Sequence, residues 1–484
     1  MKLLVENRFA LLGLVAIALA ALFGVAFVTR PAPGGTAGGG SAETMRVESA
    51  LRVCPPPQDD DLLTEVAAFT PYRGEEDGEL LLSANRANAR RLAEGELPGQ
   101  LLTTDVSDAD EGRHTVLRAE GAFAGGLEAA QTAVAEDGDD PGASTVHCTE
   151  PGWSTWFTAP SGEDLKKLTV HLANVDSGTA VANVDVYAAD GPISEEETRG
   201  VEVPPEGEAT VELGELTELG SSGRAVAVHV RTASGRVAAS LFAERSGSGS
   251  EWAPATERPS TRHVVAGVPA GGGSRTLVVA APGDEPTSVD VRLFGPDGEI
   301  EHESLKDLDV PPAASAALSL EGPLGEQPAT VLVESDHPVV AGVLAEREGG
   351  DDSAYSAAVP ALEEGPGGTA AVPADPDGTS TELLVGAVEQ DASLIVTPVA
   401  EDGTTADPMK VEVAAGATAE VEVDAPKGPH ALLMELRDGS GPVHAAAVLT
   451  QGKGKKRSTS VLPVLPAPAE VGLPPVVDSL TAVP

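Results

Sequence analysis

The feature that most constrains this chain is an internal repeat about 105 residues long. Three copies align on shared landmarks, from Lys167 to Arg245, Arg275 to Arg347 and Thr381 to Gln451. Each opens on an alternating run: LTVHL from Leu168, TLVVA from Thr276 and ELLVG from Glu382. Each carries an Asp-Gly turn, at Asp190-Gly191, Asp297-Gly298 and Asp402-Gly403, so the spacings are 107 and 105 residues. VEVPP from Val201, LDVPP from Leu308 and VEVAAG from Val411 follow. RVAASLFAER from Arg236, PVVAGVLAER from Pro338 and PVHAAAVLTQ from Pro442 close the copies. Solenoid and propeller units run to roughly 20–50 residues, so a period this long is a repeat of whole domains.

The pattern inside each copy has period two. Leu168, Val170 and Leu172 share one face, with Thr169 and His171 opposite. Val226, Val228 and Val230 share another, opposite Ala227, His229 and Arg231. Successive side chains of a strand point to opposite faces, so this alternation predicts one buried and one solvated face. Strands are expected in the first copy near 168–172, 181–188, 199–203, 209–213, 225–231, 236–243 and 263–268. Seven short strands in about 100 residues predict an immunoglobulin-like β-sandwich. Aromatic residues make up only 3 % of the chain, so Val, Leu and Ala must fill the cores.

Ahead of the repeats lies a run from Phe9 to Val28 without a charge. As a helix it would span roughly 30 Å, one hydrocarbon core. Lys2 and Arg8 precede it, which predicts a cytoplasmic N-terminus and an exported remainder. The run exceeds the apolar core of a cleaved signal peptide, so an uncleaved signal anchor is expected. Arg30 to Ser41, RPAPGGTAGGGS, cannot bury enough apolar surface to fold and reads as a linker. Cys54 and Cys148 are the two cysteines, both on the exported side. An even count in an oxidising compartment predicts one disulfide. Closing a loop of about 95 residues constrains the unfolded chain by roughly 4–5 kcal/mol in the chain-entropy model.

The expected fold class is therefore mainly β, an N-terminal transmembrane helix followed by tandem immunoglobulin-like β-sandwich modules strung as a rod. The expected order is a cytoplasmic N-terminus at 1–8, the anchor at 9–29 and the linker at 30–45. A divergent β-rich domain with the disulfide takes 46–160, and the three repeats take 161–270, 271–372 and 373–465. A proline-rich tail takes 466–484. Within the first domain HTVLRAEG from His114 reads as a strand. Leu80 to Glu94 reads as a helix from its Ala, Leu and Arg content.

The chain holds 31 Lys and Arg against 76 Asp and Glu, a formal charge of −45, which excludes binding to nucleic acid through its phosphates. Lys453, Lys455, Lys456 and Arg457 form a basic cluster against that background. It reads as a solubilising loop, or as a contact for an anionic envelope polymer or an acidic face of the same protein. Signatures of chemistry are missing: no Gly-x-Ser-x-Gly, Ser-x-x-Lys, His-Glu-x-x-His or Walker-type Gly-Lys-Ser/Thr occurs. His171 and His229 fall on polar strand faces and read as surface residues. His147 beside Cys148 is one His by one Cys, without the further groups a catalytic site needs. No calcium loop of the Asp-x-Asp-x-Asp-Gly type occurs; EDGDDPG from Glu136 reads as a solvated acidic loop, with weak calcium binding as the alternative. No catalytic residue, metal ligand or cofactor is assigned, and an enzyme is not expected.

STVHCTEPGWSTWF, Ser144 to Phe157, holds one cysteine and two of the three tryptophans. Trp156 and Phe157 are expected to pack beside the disulfide, and Trp153 to lie at the surface. Trp153 and Trp156 are the candidate ligand contacts, through carbohydrate stacking. Trp252 is expected to wedge two modules. The Cys-x-x-Pro-Gly and Trp-Phe of this segment, the upstream Cys54-Pro55, AQTAVAEDG from Ala130 and the repeats resemble an actinobacterial family of envelope proteins with a domain of unknown function. The resemblance implies export behind a membrane segment, a place in the cell envelope and no established activity. The function read from the sequence is thus a membrane-anchored extracytoplasmic structural or interaction protein, with an envelope protein or glycopolymer as partner. The alternative is a carbohydrate-binding protein or hydrolase with its site near Trp153.

The topology has a direct test. A reporter active only outside the cytoplasm, fused after Gly40, should be active, and the full chain should sediment with membranes. Quantitative release of a shortened chain into the medium would show a cleaved signal instead.

Overall fold

The computed structural model describes residues 44–472, apart from stretches at 59–61, 87, 108–112, 136–141, 194, 217–218, 220–224, 247–248, 348–351, 364–368, 375–378, 425–427, 453 and 455–456. The expected anchor and linker, most of the tail, most of EDGDDPG and the three lysines of the basic cluster lie outside those residues. Among the described residues no helix is long and apolar enough to cross a membrane.

Strands dominate, and residues 46–470 fold as one unit of four β-sandwiches. The repeat-1 sandwich shows the plan. One sheet orders Gly191–Ile193, Ala180–Ala188, Ala225–Ser234 and Ser154–Pro160. The other orders Gly207–Glu212, Leu165–Asn174, Ala238–Arg245 and Gly249–Ala253. Ser154–Pro160 pairs into this sandwich and Ser260–Val268 into the next, so each module takes up its first strand earlier than the sequence landmarks set it. Alternation builds the core: Ala180, Ala182, Val184, Val186 and Ala188 are buried while the residues between them are half-buried. Leu168, Val170 and Leu172 meet Val226, Val228 and Val230 in the same core. At roughly 1.5–3 kcal/mol for each fully buried Val or Leu, this is what holds the two sheets together.

The same two-sheet plan recurs on either side. In the repeat-2 sandwich a single strand, Ala329–Arg347, serves both sheets. It crosses between them at Asp336, His337 and Pro338, which are exposed. The N-terminal sandwich sets Ser49–Cys54, Thr115–Gly121, Gly78–Ala84 and Arg91–Glu94 against Leu101–Asp105, Leu62–Phe69, Glu128–Ala135 and Ser144–His147. The helix expected over Leu80 to Glu94 is here a hairpin. Leu80, Leu82 and Ala84 are buried in strand alternation, and that tertiary burial outweighs their helix propensity. The disulfide is formed: Cys54 and Cys148, with Cα atoms 4.1 Å apart, tie the two sheets inside the core.

The sandwiches do not form a rod. Each lays one sheet on the opposite sheet of the next, four times round, and the last joint closes on the first. Val53 and Val116 of the N-terminal sandwich pack on Ala173 and Ala238 of repeat 1. Trp156 and Ala227 of repeat 1 pack on Ala280 and Val340 of repeat 2. Val264, Phe294 and Leu332 of repeat 2 pack on Val388 of repeat 3. Val399 and Ala431 of repeat 3 pack on Phe69 and Leu101 of the N-terminal sandwich. Head-to-tail contacts either close into a ring or run on as a filament, and these close. The N–H of Val47 donates to the Ala469 carbonyl at 2.9 Å, so the two ends of the ring lie side by side. Thr44–Arg46 and Glu470–Gly472 pair as a small two-stranded sheet of their own.

Ring closure corrects the expected solvent faces. Ala227, expected outside, is fully buried at a joint. Thr169 and His171 are also buried, and His171 lies edge-on to His114 of the N-terminal sandwich. Asn85 Nδ2 donates to the Gly207 carbonyl at 3.1 Å across the same joint. Small residues let the backbones approach. A Cβ on Gly342 would fall 2.1 Å from Thr158 Oγ1, and one on Gly386 2.1 Å from Thr330 Oγ1.

The closing strands of the four sandwiches meet at the centre. Ser144–His147 lies against Gly249–Ala253 and Ser458–Pro463, and Ser353–Ala357 against the latter two. Thr145 N–H donates to Ser460 Oγ at 2.9 Å and Ala143 N–H to Ser458 Oγ at 3.0 Å, so these two strands run parallel. Thr145, Glu251, Tyr355 and Ser460 sit one repeat period apart, at intervals of 106, 104 and 105 residues, and all four are buried. Burial holds the Glu251 carboxyl well above the usual range, against hydrogen bonds from Ser460 and the Trp252 and Thr145 backbones. Trp252 wedges the joint as expected, between Phe242 of its own sandwich and Val146 of the N-terminal one.

The joints make a prediction that separates a ring from a rod. Gly386→Val should lower stability by about 1–3 kcal/mol through overpacking at a joint, with the sandwich cores untouched. Ala227→Asp should cost at least several kcal/mol, as Val228→Asp does, because both bury an unpaired charge. Thermal denaturation and limited proteolysis read both effects. A silent Ala227→Asp would mean that the joint between repeats 1 and 2 is open in solution.

Candidate functional site

The closing strands end in a cavity of about 440 Å³ shared by three sandwiches. Arg52, Glu128 and His147 come from the N-terminal sandwich, Phe157 from repeat 1, Pro463 and Pro466 from repeat 3. Cys148 reaches the wall, so the disulfide fixes the strand end that carries His147. Proline at 463 and 466 suits the place: it cannot extend a ladder, and the chain leaves the sheet there. The lining is mostly apolar, with a few polar groups converging on it, which is the ordinary make-up of a ligand site.

Those polar groups form one connected set. Glu128, on Glu128–Ala135, is 4 % exposed. Arg52 Nη2 lies 3.4 Å from its Oε1 and donates to the Leu127 carbonyl at 2.9 Å, while Nη1 pairs with Glu150. Burial pushes the Glu128 carboxyl up to about 7, with the Arg52 charge opposing it. His147 Nε2 lies 2.5 Å from the Pro463 carbonyl, which can only accept, so Nε2 carries the proton. Burial lowers this imidazole to about 4, leaving it neutral at pH 7. Its Nδ1 lies 3.8 Å from Glu128 Oε2, beyond hydrogen-bond reach. At pH 7 the cavity therefore offers a carboxyl that is about half protonated and a neutral imidazole in apolar surroundings. That set can hold a neutral polar group. It lacks an aligned nucleophile and base.

The residues singled out in the sequence lie elsewhere. Trp153 is 65 % exposed, with the Arg258 guanidinium 5.2 Å from its ring centre. Trp156 is buried in the joint to repeat 2 and does not pack beside the disulfide. It stacks on His229 at 3.9 Å and on Tyr187 at 5.5 Å. Phe157 fills the repeat-1 core. The structure thus separates Trp153 from Trp156, and neither lines the cavity. His171 and His229, expected at the surface, are lowered to about 3 and about 4 by burial. Arg52 and Glu128 carried no local signal, because 75 residues separate Arg52 from the Leu127 carbonyl it binds. Only the pair His147-Cys148 marked this place in the sequence. Among the described residues no three His, Cys, Asp or Glu side chains are grouped to hold a metal ion.

The chain belongs to DUF5719, a family of unknown function, whose model matches residues 103–424. That stretch begins in the N-terminal sandwich and ends in repeat 3. No curated protein matches the chain. Among solved structures the chain is similar to the Streptomyces avermitilis α-L-rhamnosidase complexed with L-rhamnose, at 8 % identity and a TM-score of 0.13. The similarity covers 81 % of this chain and 57 % of that one, so the chain spans little more than half of that enzyme's length. A score that low carries no argument about fold or reaction.

The perturbed pair predicts a pH dependence. With a folded value of about 7 against an ordinary 4.5, Glu128 binds its proton more tightly in the folded chain. Its ionisation therefore costs stability progressively as pH rises through that window. His147, lowered from 6.5 to about 4, costs stability as pH falls through its own window. Glu128→Gln removes only the first effect. Relative to the parent, the variant should gain about 3 kcal/mol between about pH 5 and about pH 8, read as the shift in denaturation midpoint. A constant difference across that range would place the Glu128 carboxyl in water.

Proposed function

We propose that this chain is a membrane-anchored, extracytoplasmic interaction protein of the cell envelope, without catalytic activity. On this reading its four immunoglobulin-like sandwiches form a rigid ring that presents the shared cavity to a partner. The observation that carries the proposal is the cavity itself. Three sandwiches build it, and its polar groups are held by each other and by the backbone. The buried disulfide supports export, since such bonds persist in oxidising compartments. The formal charge of −45 supports an extracellular face that repels polyanions over most of its surface.

One observation favours a second reading. Trp153 is exposed beside Arg258, and an exposed ring flanked by a guanidinium is a platform on which a sugar of a glycopolymer can stack.

Site-specific photo-crosslinking in intact cells distinguishes these readings. A crosslinker at Glu150, on the cavity rim, should give a discrete protein adduct that the same group at exposed Glu303 does not. Adducts only at Trp153, containing carbohydrate, would favour the second reading. Identical products at Glu150 and Glu303, or none at Glu150, would overturn the proposal.

A further inference from the structure

The joint between the N-terminal sandwich and repeat 1 buries two imidazoles beside each other. His114 comes from the N-terminal sandwich and His171 from Leu165–Asn174 of repeat 1, and their ring centres lie 6.2 Å apart, edge-on. They are only 2 % and 5 % exposed. None of the four ring nitrogens has a hydrogen-bond partner. Buried polar groups are nearly always paired, so two unpaired rings at one contact are a cost that the fold carries for some other reason.

The charges around the pair are unevenly placed. Trp252 lies 5.6 Å from the His171 ring centre, and Val53, Val116, Ala173 and Ala238 make the apolar contact of the same joint. On its two flanking strands His171 is level with Thr210 and Ser240, neither of which titrates. The Thr210 strand also carries the carboxylates Glu208 and Glu212. Glu208 accepts from the His114 N–H at 2.9 Å and lies 3.4 Å from His114 Nδ1. Glu212 accepts from Thr169 Oγ1 at 2.6 Å. Lys167 stands four residues before His171 and donates to Gln58 Oε1 at 3.3 Å. A proton added at His114 therefore meets Glu208. A proton added at His171 is opposed by burial first, then by His114 and Lys167, and these lower that imidazole from 6.5 to about 3.

We infer that this joint is an acid-sensitive clasp: neutral His171 lets the N-terminal sandwich close on repeat 1, and its protonation parts the two while each keeps its own core. The buried disulfide ties the N-terminal sandwich together in either state. His171 binds its proton more weakly in the closed joint than in water. The clasp is therefore fully closed above about pH 6.5 and loses stability as pH falls below it. The inference uses neither the cavity at Glu128 and His147 nor a partner.

Denaturation of the full chain between pH 7 and pH 5, with His171→Leu beside the parent, reads this linkage. Over that range the parent's folding equilibrium constant should fall about 25-fold relative to that of His171→Leu, the factor set by 6.5 against about 3. His337→Gln, at an exposed ring, should follow the parent. Small-angle scattering combined with far-ultraviolet circular dichroism separates the clasp from the sandwiches. At pH 4 the parent's radius of gyration should rise while its strand signal stays, and His171→Leu should remain compact. His171→Lys, which carries its charge permanently, should be expanded already at pH 7. A parent-like pH profile in His171→Leu, a parent that stays compact at pH 4, or expansion only together with loss of strand signal would overturn the inference.

Discussion

The structure depends on one contact repeated four times: the outer face of one sheet pressed on the outer face of the next sandwich's opposite sheet. A sandwich made from Val, Leu and Ala strands has a core, but its outer faces also carry apolar residues, from Ala and Val to Phe69, Trp156 and Phe294. Left in water those faces cost roughly 25 cal/mol for each Å² of apolar surface. Laid on a neighbour they become part of the interior. Three joints leave one face at each end of the row, and closing the row into a ring removes both. The fourth joint is intramolecular, so it forms at a high effective concentration.

Closure also decides where polar chemistry can sit. The closing strands of all four sandwiches are brought to the centre, where their edges would otherwise stay unpaired. Ser458 and Ser460 meet the backbone of Ala143 and Thr145 there. Glu251 is desolvated in the same layer. At one end of this centre the strands open onto Glu128 and His147, and where repeats 2 and 3 meet a second cavity is lined by Arg275, Arg347 and Arg457. Both cavities exist only because sandwiches meet. A single sandwich would present neither.

The disulfide has a place in the same scheme. Cys148 directly follows the closing strand that carries His147, and Cys54 ends a strand of the opposite sheet. The bridge therefore fixes the N-terminal sandwich internally and steadies the strand that reaches the centre. It does so in the sandwich whose sequence departs most from the repeat.

By itself the sequence determined the modular β architecture, the strands of the repeats and the pairing of Cys54 with Cys148. Each rests on local or compositional signals: period-two alternation, Asp-Gly turns, an even pair of cysteines. Alternation places Val226, Val228 and Val230 inside, and they are inside. The same rule places Ala227 outside, and there it fails, because alternation reports which face meets its own partner sheet and is silent about what covers the other. Ala227 and His171 are covered by residues of neighbouring sandwiches, more than 50 positions away in the chain. For the hairpin within Leu80 to Glu94, helix-forming residues obeyed burial over propensity. Only the tertiary structure decided that four sandwiches close into a ring, that Trp156 serves a joint, and that Arg52, Glu128 and His147 share one cavity. The physical reason is that these outcomes are set by surface meeting surface between modules, and no periodicity within a module encodes that meeting.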